Sequence, residues 1–152
     1  MPTPVTFGRL ATPPKTSNSL LVIDDAMIHS TIIARIGDKT GFKTKTAASY
    51  EEAVKQLGEQ TFDCITLDLS LGRHAGVEVL RHLATIGYKG TIIIISGAEK
   101  YVCDETVKIG RELKLNLCDP IQKPVDLKFL RELLIQLKNK ADLNKLASVA
   151  AS

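Results

Sequence analysis

The chain has 152 residues, 44% of them apolar and 24% charged, with a net charge of +3 at pH 7. This is enough length for one domain with its own core, and the balance excludes collagenous, disulfide-scaffold and disordered compositions. Lys and Arg are dispersed rather than gathered on one arm, so no nucleic-acid partner is expected.

Cys64, Cys103 and Cys118 form no CxxC pair and no metal-finger spacing, which fits a reducing compartment and packing roles. Residues 1–18, rich in Pro and Thr, read as a flexible leader without the apolar stretch of a signal peptide. The strongest apolar run, Thr91 to Ile95, is far too short to cross a membrane. A soluble, cytoplasmic protein with no membrane partner is expected.

Leu20 to Ile23 is a short apolar run ending at Asp24-Asp25, the pattern of a buried strand. Ile28, Ile32 and Ile36 recur at helical spacing, so a helix with that stripe follows. Phe42 to Thr46 is a weaker strand. Ser49, with Glu52 three residues on, predicts a capped second helix striped by Tyr50, Ala53, Val54 and Leu57.

Phe62 to Leu67 reads as the third strand, and Val77, Leu80, Leu83 and Ala84 stripe the third helix. Thr91 to Ile95 is β-branched and apolar on both faces, the mark of a central parallel strand. Val102, Thr106, Ile109 and Leu113 predict a fourth helix, and Leu115 to Gln122 a fifth strand. Leu127, Leu130, Leu134 and Leu137 stripe a fifth helix opened by Pro124 and Asp126, and residues 141–152 read as a C-terminal tail, a frayed end or short helical extension.

The alternation predicts an α/β fold, a doubly wound (βα)5 unit with a five-stranded parallel sheet in flavodoxin-like order 2-1-3-4-5. In such sheets ligands bind beyond the carboxyl ends of the strands. Those ends carry Asp24-Asp25, Asp68, Ser96 and Lys123-Pro124. Carboxylates held close repel one another, so a hard divalent cation, Mg²⁺ or Mn²⁺, belongs among them. A lysine and a hydroxyl on the same rim complete a phosphoryl site, and a carboxylate can itself be the nucleophile.

The runs LLVIDD, FDCITLDLSL, TIIIISG and IQKP, in this order and spacing, resemble the receiver domain of two-component response regulators from Ser19 to Lys140. The resemblance implies that Asp68 is the phosphoacceptor. It implies that Asp25 ligates Mg²⁺ directly, Asp24 does so largely through water, and the Ser70 backbone carbonyl adds a ligand. Ser96 and Lys123 would stabilise the phosphoryl group, and the Lys123–Pro124 bond would be cis. The implied partner is a histidine kinase or histidine phosphotransfer protein. The implied output surface is helix four, strand five and helix five. Such a domain is not an enzyme on other molecules; it catalyses only its own phosphorylation and dephosphorylation.

Four features depart from the family pattern. Gly72 stands where Pro is frequent, and Ala75-Gly76 where Asp-Gly often opens helix three. Pro120 replaces the aromatic residue that usually swings inward with the Ser or Thr, and proline has no such rotamer. No effector domain is recognisable after helix five, so a stand-alone receiver is expected. The alternative is a pseudo-receiver, an interaction module that works without phosphorylation. An aspartyl-phosphate phosphatase would need an Asp at the position of Ser70. His29, His74 and His82 match no zinc spacing and read as solvated surface residues.

Overall fold

A computed structural model of the chain describes residues 18–71 and 74–151. The strands are β1 (Asn18–Ile23), β2 (Phe42–Ala47), β3 (Cys64–Leu67), β4 (Ser70–Leu71), β5 (His74–Ala75), β6 (Thr91–Ser96), β7 (Asn116–Leu117) and β8 (Ile121–Gln122). The helices are α1 (Met27–Lys39), α2 (Tyr50–Glu59), α3 (Gly76–Thr85), α4 (Lys100–Glu112) and α5 (Leu127–Ala151). The parallel sheet runs β2-β1-β3-β6-β7, with β8 also pairing β6. Counting β7 and β8 as one interrupted strand gives the order 2-1-3-4-5.

The interruption has a cause in the sequence. Pro120 lies between β7 and β8, and a proline offers no N–H to a ladder. Pairing with β6 resumes at Ile95 with Ile121 and Ser96 with Gln122. A further departure from the expected order follows Asp68. Ser70 pairs with Ala75 and Leu71 with His74 in a two-stranded antiparallel hairpin, where a plain loop was expected. Gly72 and Arg73 lie outside the described residues, as do residues 1–17 of the expected leader.

Alternation along the central strands divides the core between two faces. Leu21, Ile23, Ile65, Leu67, Ile92 and Ile94 pack with Ala53, Val79, Leu80, Leu83 and Val107 of α2, α3 and α4. Leu20, Val22, Cys64, Ile93 and Ile95 pack with Ile33 of α1 and Leu130 and Leu134 of α5. Ser49 caps α2 as its spacing predicts: its Oγ accepts the Glu52 N–H at 3.1 Å. Asp126 caps α5, accepting the N–H groups of Lys128 and Phe129 at 3.1 Å each.

Two expected helix faces are corrected. On α1 the buried residues are Ser30, Ile33 and Gly37, while Ile28 is 79% and Ile32 39% exposed. The reason is close packing: a Cβ on Gly37 would fall 2.6 Å from Thr44 Cγ2 and 2.7 Å from Leu20 Cδ2. The small residues therefore face the sheet, and the larger Ile28 and Ile32 turn outward. On α4 Thr106 is buried and Leu113 packs on the core as expected, but the face is centred one step on, with Cys103, Val107 and Gly110 also buried and Val102 exposed.

Helix α5 continues without a break through the expected tail. Its later turns are tied to the amino-terminal edge of the sheet. Asn18 donates to Asp142 at 2.6 Å and accepts from Lys145 at 2.7 Å. Lys145 Nζ also reaches Asp63 Oδ2 at 3.0 Å.

The two faces of α5 should respond differently to truncation. Leu134→Ala removes a fully buried side chain and should cost about 3 kcal/mol, while Leu146→Ala on the exposed side should stay within about 0.5 kcal/mol. Urea unfolding of the two variants beside the parent measures the contrast.

Candidate functional site

Parallel pairing of β1 with β3, and of β3 with β6, sets their last residues side by side at one edge. The strands are largely apolar towards that edge, with buried Thr66 the exception in β3, and their charged or hydroxyl side chains follow at the same level. Asp24 follows β1, Asp68 follows β3, and Ser96 ends β6. Asp24 and Asp68 are only 3% and 6% exposed, whereas Asp25 is open to solvent. The three carboxylates each place an oxygen within 4.8 Å of the others.

Lys123 holds this acidic group together. Its Nζ donates to Asp68 Oδ2 at 3.0 Å and to Asp24 Oδ2 at 3.3 Å. The remaining oxygens use the backbone: Asp24 Oδ1 accepts the Ala26 N–H at 2.9 Å, and Asp68 Oδ1 the Ser70 N–H at 3.2 Å. Partial burial works against the Lys123 ammonium, but the hydrogen bond from Lys123 to Asp68 and the charges of Asp68 and Asp24 outweigh it. The net effect holds Lys123 above the ordinary lysine value. A lysine whose pKa is raised on folding stabilises the fold at neutral pH, and that contribution is lost only as pH rises through the lysine range.

Ser96 is buried, and its Oγ accepts the Ala98 N–H at 3.1 Å. The Ala98 carbonyl in turn accepts Gln122 Nε2 at 3.1 Å and lies 3.7 Å from the Cys103 thiol. The short loop after β6 is thus tied to both β8 and α4. Lys123 follows β8 directly, its N–H bonded to the Ser96 carbonyl at 2.9 Å, and the Lys123–Pro124 peptide is cis. Ser70 begins β4 two residues beyond Asp68. Pro120 sits half-buried at the break between β7 and β8. Ala75 stands at the N-cap of α3 and makes no side-chain capping bond there, the physical consequence of lacking an Asp at that position.

His29, expected to be solvated, is instead partly enclosed beside the site. It lies on the first turn of α1 with its side chain 31% exposed, and its Nδ1 is 3.4 Å from Asp24 Oδ2. That nitrogen is buried and makes no aligned hydrogen bond. Its sequence signal is only a spacing of five from Asp24, which becomes meaningful once α1 is known to start at Met27. His82 packs edge-on to Tyr50, with ring centroids 6.3 Å apart. The side chain of His74 lies outside the described residues. The three cysteines are free, and burial pushes their thiols up, which makes them poor nucleophiles.

The donor set fits a hard divalent cation. Carboxylates converging from two strand ends, with one ammonium among them, leave excess negative charge at an open rim. Oxygen ligands of this kind suit Mg²⁺, Mn²⁺ or Ca²⁺.

A doubly wound sheet with such an acidic, lysine-bridged rim defines a class, and the sequence comparisons agree with it. Residues 20–135 match the response regulator receiver domain, and the chain belongs to that family. It is 33% identical over 120 residues to the regulatory protein VirG of Agrobacterium fabrum, covering 78% of this chain and 46% of VirG. The chain therefore spans about half the length of that curated relative.

Among solved structures, a CheY-like receiver domain from Methanospirillum hungatei superposes with a TM-score of 0.69 at 22% identity, covering 87% of this chain and 99% of that one. A response regulator from Burkholderia pseudomallei, solved with a phosphorylated aspartic acid, a calcium ion and citrate, gives a TM-score of 0.64 at 22% identity. That match covers 90% of this chain and 75% of the other. Receiver domains are signalling domains that bind a divalent metal at the acidic pocket and have histidine kinases as partners in general. Among the described residues no helix is long and apolar enough to cross a membrane.

Removing the central cation of this rim should be costly. Lys123→Met should destabilise the fold by about 2 kcal/mol in EDTA, because two buried carboxylates lose their counter-charge. A millimolar divalent cation should narrow that gap. Thermal unfolding of parent and variant, with and without the ion, provides the comparison.

Proposed function

We propose that Asp68 accepts a phosphoryl group from a partner phosphohistidine, carried by a histidine kinase or phosphotransfer protein, and that this switches a protein-interaction surface. The observation that carries this reading is Lys123, whose Nζ lies within 3.3 Å of both Asp24 and Asp68 at the only rim where three carboxylates meet among the described residues. An oxygen of Asp68 forms the new O–P bond as the P–N bond to the donor imidazole breaks, and the imidazole nitrogen keeps the electron pair. Hydrolysis by water later returns the carboxylate and inorganic phosphate.

Asp24, Asp25, Asp68 and the Ser70 backbone carbonyl would hold Mg²⁺, or Mn²⁺ in its place. Bound there, the ion supplies charge neutralisation to carboxylates and phosphoryl oxygens that would otherwise repel. Lys123 contributes a second positive charge, and Ser96 a hydroxyl one strand away. Met27, Ile28 and Ile32, exposed on α1 in the turns that follow Asp25, give an incoming phosphodonor protein apolar area to dock against.

The output surface is the face formed by α4, β7–β8 and α5. If Ser96 Oγ turns to the phosphoryl group it releases the Ala98 N–H, and Ala98 is the residue that Gln122 and Cys103 hold through its carbonyl. This route needs no aromatic at position 120. Tyr101 and Val102, exposed on the first turn of α4, lie where such a shift is presented to a partner. The added charge of about −1.5 to −2 is the driving perturbation.

Incubation with Mg²⁺ and acetyl phosphate, followed by intact-mass measurement, tests the assignment. The parent should gain one phosphoryl group, and the gain should vanish in EDTA and in Asp68→Asn. No gain in the parent, together with no Mg²⁺ binding, would replace the switch by a phosphorylation-independent interaction module.

A further inference from the structure

The acidic rim contains one polar atom that the phosphoryl chemistry leaves unused. His29 Nδ1 is buried and unpartnered, 3.4 Å from the same Asp24 Oδ2 that Lys123 holds at 3.3 Å. A carboxylate at that distance selects the tautomer with hydrogen on Nδ1, since the alternative faces a lone pair toward negative charge. The histidine is therefore a donor in waiting. Its backbone is fixed by the first turn of α1, where Ser30 N–H bonds the Ala26 carbonyl at 2.9 Å.

Phosphorylation changes the demand on Lys123. As a free carboxylate, Asp68 shares the ammonium with Asp24. As an acyl phosphate, its negative charge moves outward onto the phosphoryl oxygens, and Lys123 follows it. Asp24 Oδ2 then loses its donor, while Oδ1 keeps only the Ala26 N–H. The cation would then hold Asp24 from one side only, and a buried carboxylate oxygen that has lost its protein donor is poorly oriented; the spare donor within reach is His29 Nδ1, 3.4 Å away.

We propose that His29 is a positioning residue: it takes over Asp24 Oδ2 when Lys123 turns to the phosphoryl group, and so keeps Asp24 oriented toward the bound cation in the phosphorylated state. The inference rests on the phosphorylation reading above. It assigns His29 no contact with the phosphoryl group and no part in proton transfer. Its signature is conditional: the histidine matters little while Lys123 holds Asp24, and matters once Lys123 has moved.

Two variants separate donor from bulk. His29→Leu keeps much of the volume and removes the hydrogen bond; His29→Asn keeps a donor near the position of Nδ1. Calorimetric titration gives the Mg²⁺ affinity of the unphosphorylated protein. The Mg²⁺ concentration that half-saturates loading with beryllofluoride, a tetrahedral phosphoryl analogue, reports the switched state through backbone amide NMR. The expected result is unchanged Mg²⁺ affinity for both unloaded variants, an approximately tenfold higher Mg²⁺ requirement for loading in His29→Leu, and its restoration in His29→Asn, the scale of one hydrogen bond to a charged group.

Equal requirements in parent and His29→Leu, or a rise that Asn does not reverse, would overturn the proposal, as would a loss already present without beryllofluoride. If the parent itself takes up neither Mg²⁺ nor beryllofluoride, the underlying phosphorylation reading fails instead, and that outcome is read from the parent alone.

Discussion

Three carboxylates meet at the carboxyl edge of the sheet, and one ammonium bridges the two buried ones; the rest of the molecule is organised around making that tolerable. Two like charges about 4 Å apart repel by about 4 kcal/mol at the effective dielectric of a protein surface. The cluster persists because the strands behind it are held by a core they cannot leave. Leu20 to Ile23, Ile65, Leu67 and Ile92 to Ile95 are almost fully buried on both faces of the sheet. The side chains that break each apolar run are thus fixed in position by burial of what precedes them. The charge strain is concentrated at the rim, where a divalent cation can relieve it.

The same division separates the rigid part of the site from the movable part. Asp24 and Asp68 sit at the ends of paired central strands and have backbone donors of their own. Ser96, by contrast, faces a short loop whose hydrogen bonds run outward to Gln122 and toward Cys103. Pro120 belongs to this outer part. By interrupting the fifth strand it removes a side chain that could swing, and it leaves β8 as a two-residue segment whose Gln122 grips the loop directly.

The fold and most of the rim were legible in the sequence because both depend on local pattern. An apolar run that stops at an Asp, Ser or Lys can be read without knowing its neighbours, and the alternation of strands and helices then sets the sheet order. What escaped depends on contacts between distant residues. The fifth strand could not be divided until Pro120 was seen opposite β6, and the hairpin after Asp68 pairs too few residues to leave a periodic signal. A short helical extension of α5 is one of the two readings of residues 141–152, but its anchoring was not legible: Asp142 and Lys145 bond Asn18 and Asp63, partners more than eighty residues away. No spacing rule reports such a contact.

The misread face of α1 shows how one packing choice reaches the chemistry. Three isoleucines at helical spacing argue for an apolar stripe, yet Gly37 is the residue that lets the helix approach Leu20 and Thr44. Close backbone approach selects the small residues Ser30 and Gly37, with Ile33 between them, as the buried face. Once that face is fixed, a rotation of 100° per residue determines everything else on the first turn. Ile28 is sent outward beside Asp25, and His29 is brought against Asp24 with its Nδ1 enclosed. The glycine, two turns from the rim, therefore sets which side chain stands next to the carboxylate. A helix that buried its isoleucines instead would leave Asp24 with Lys123 as its only side-chain donor.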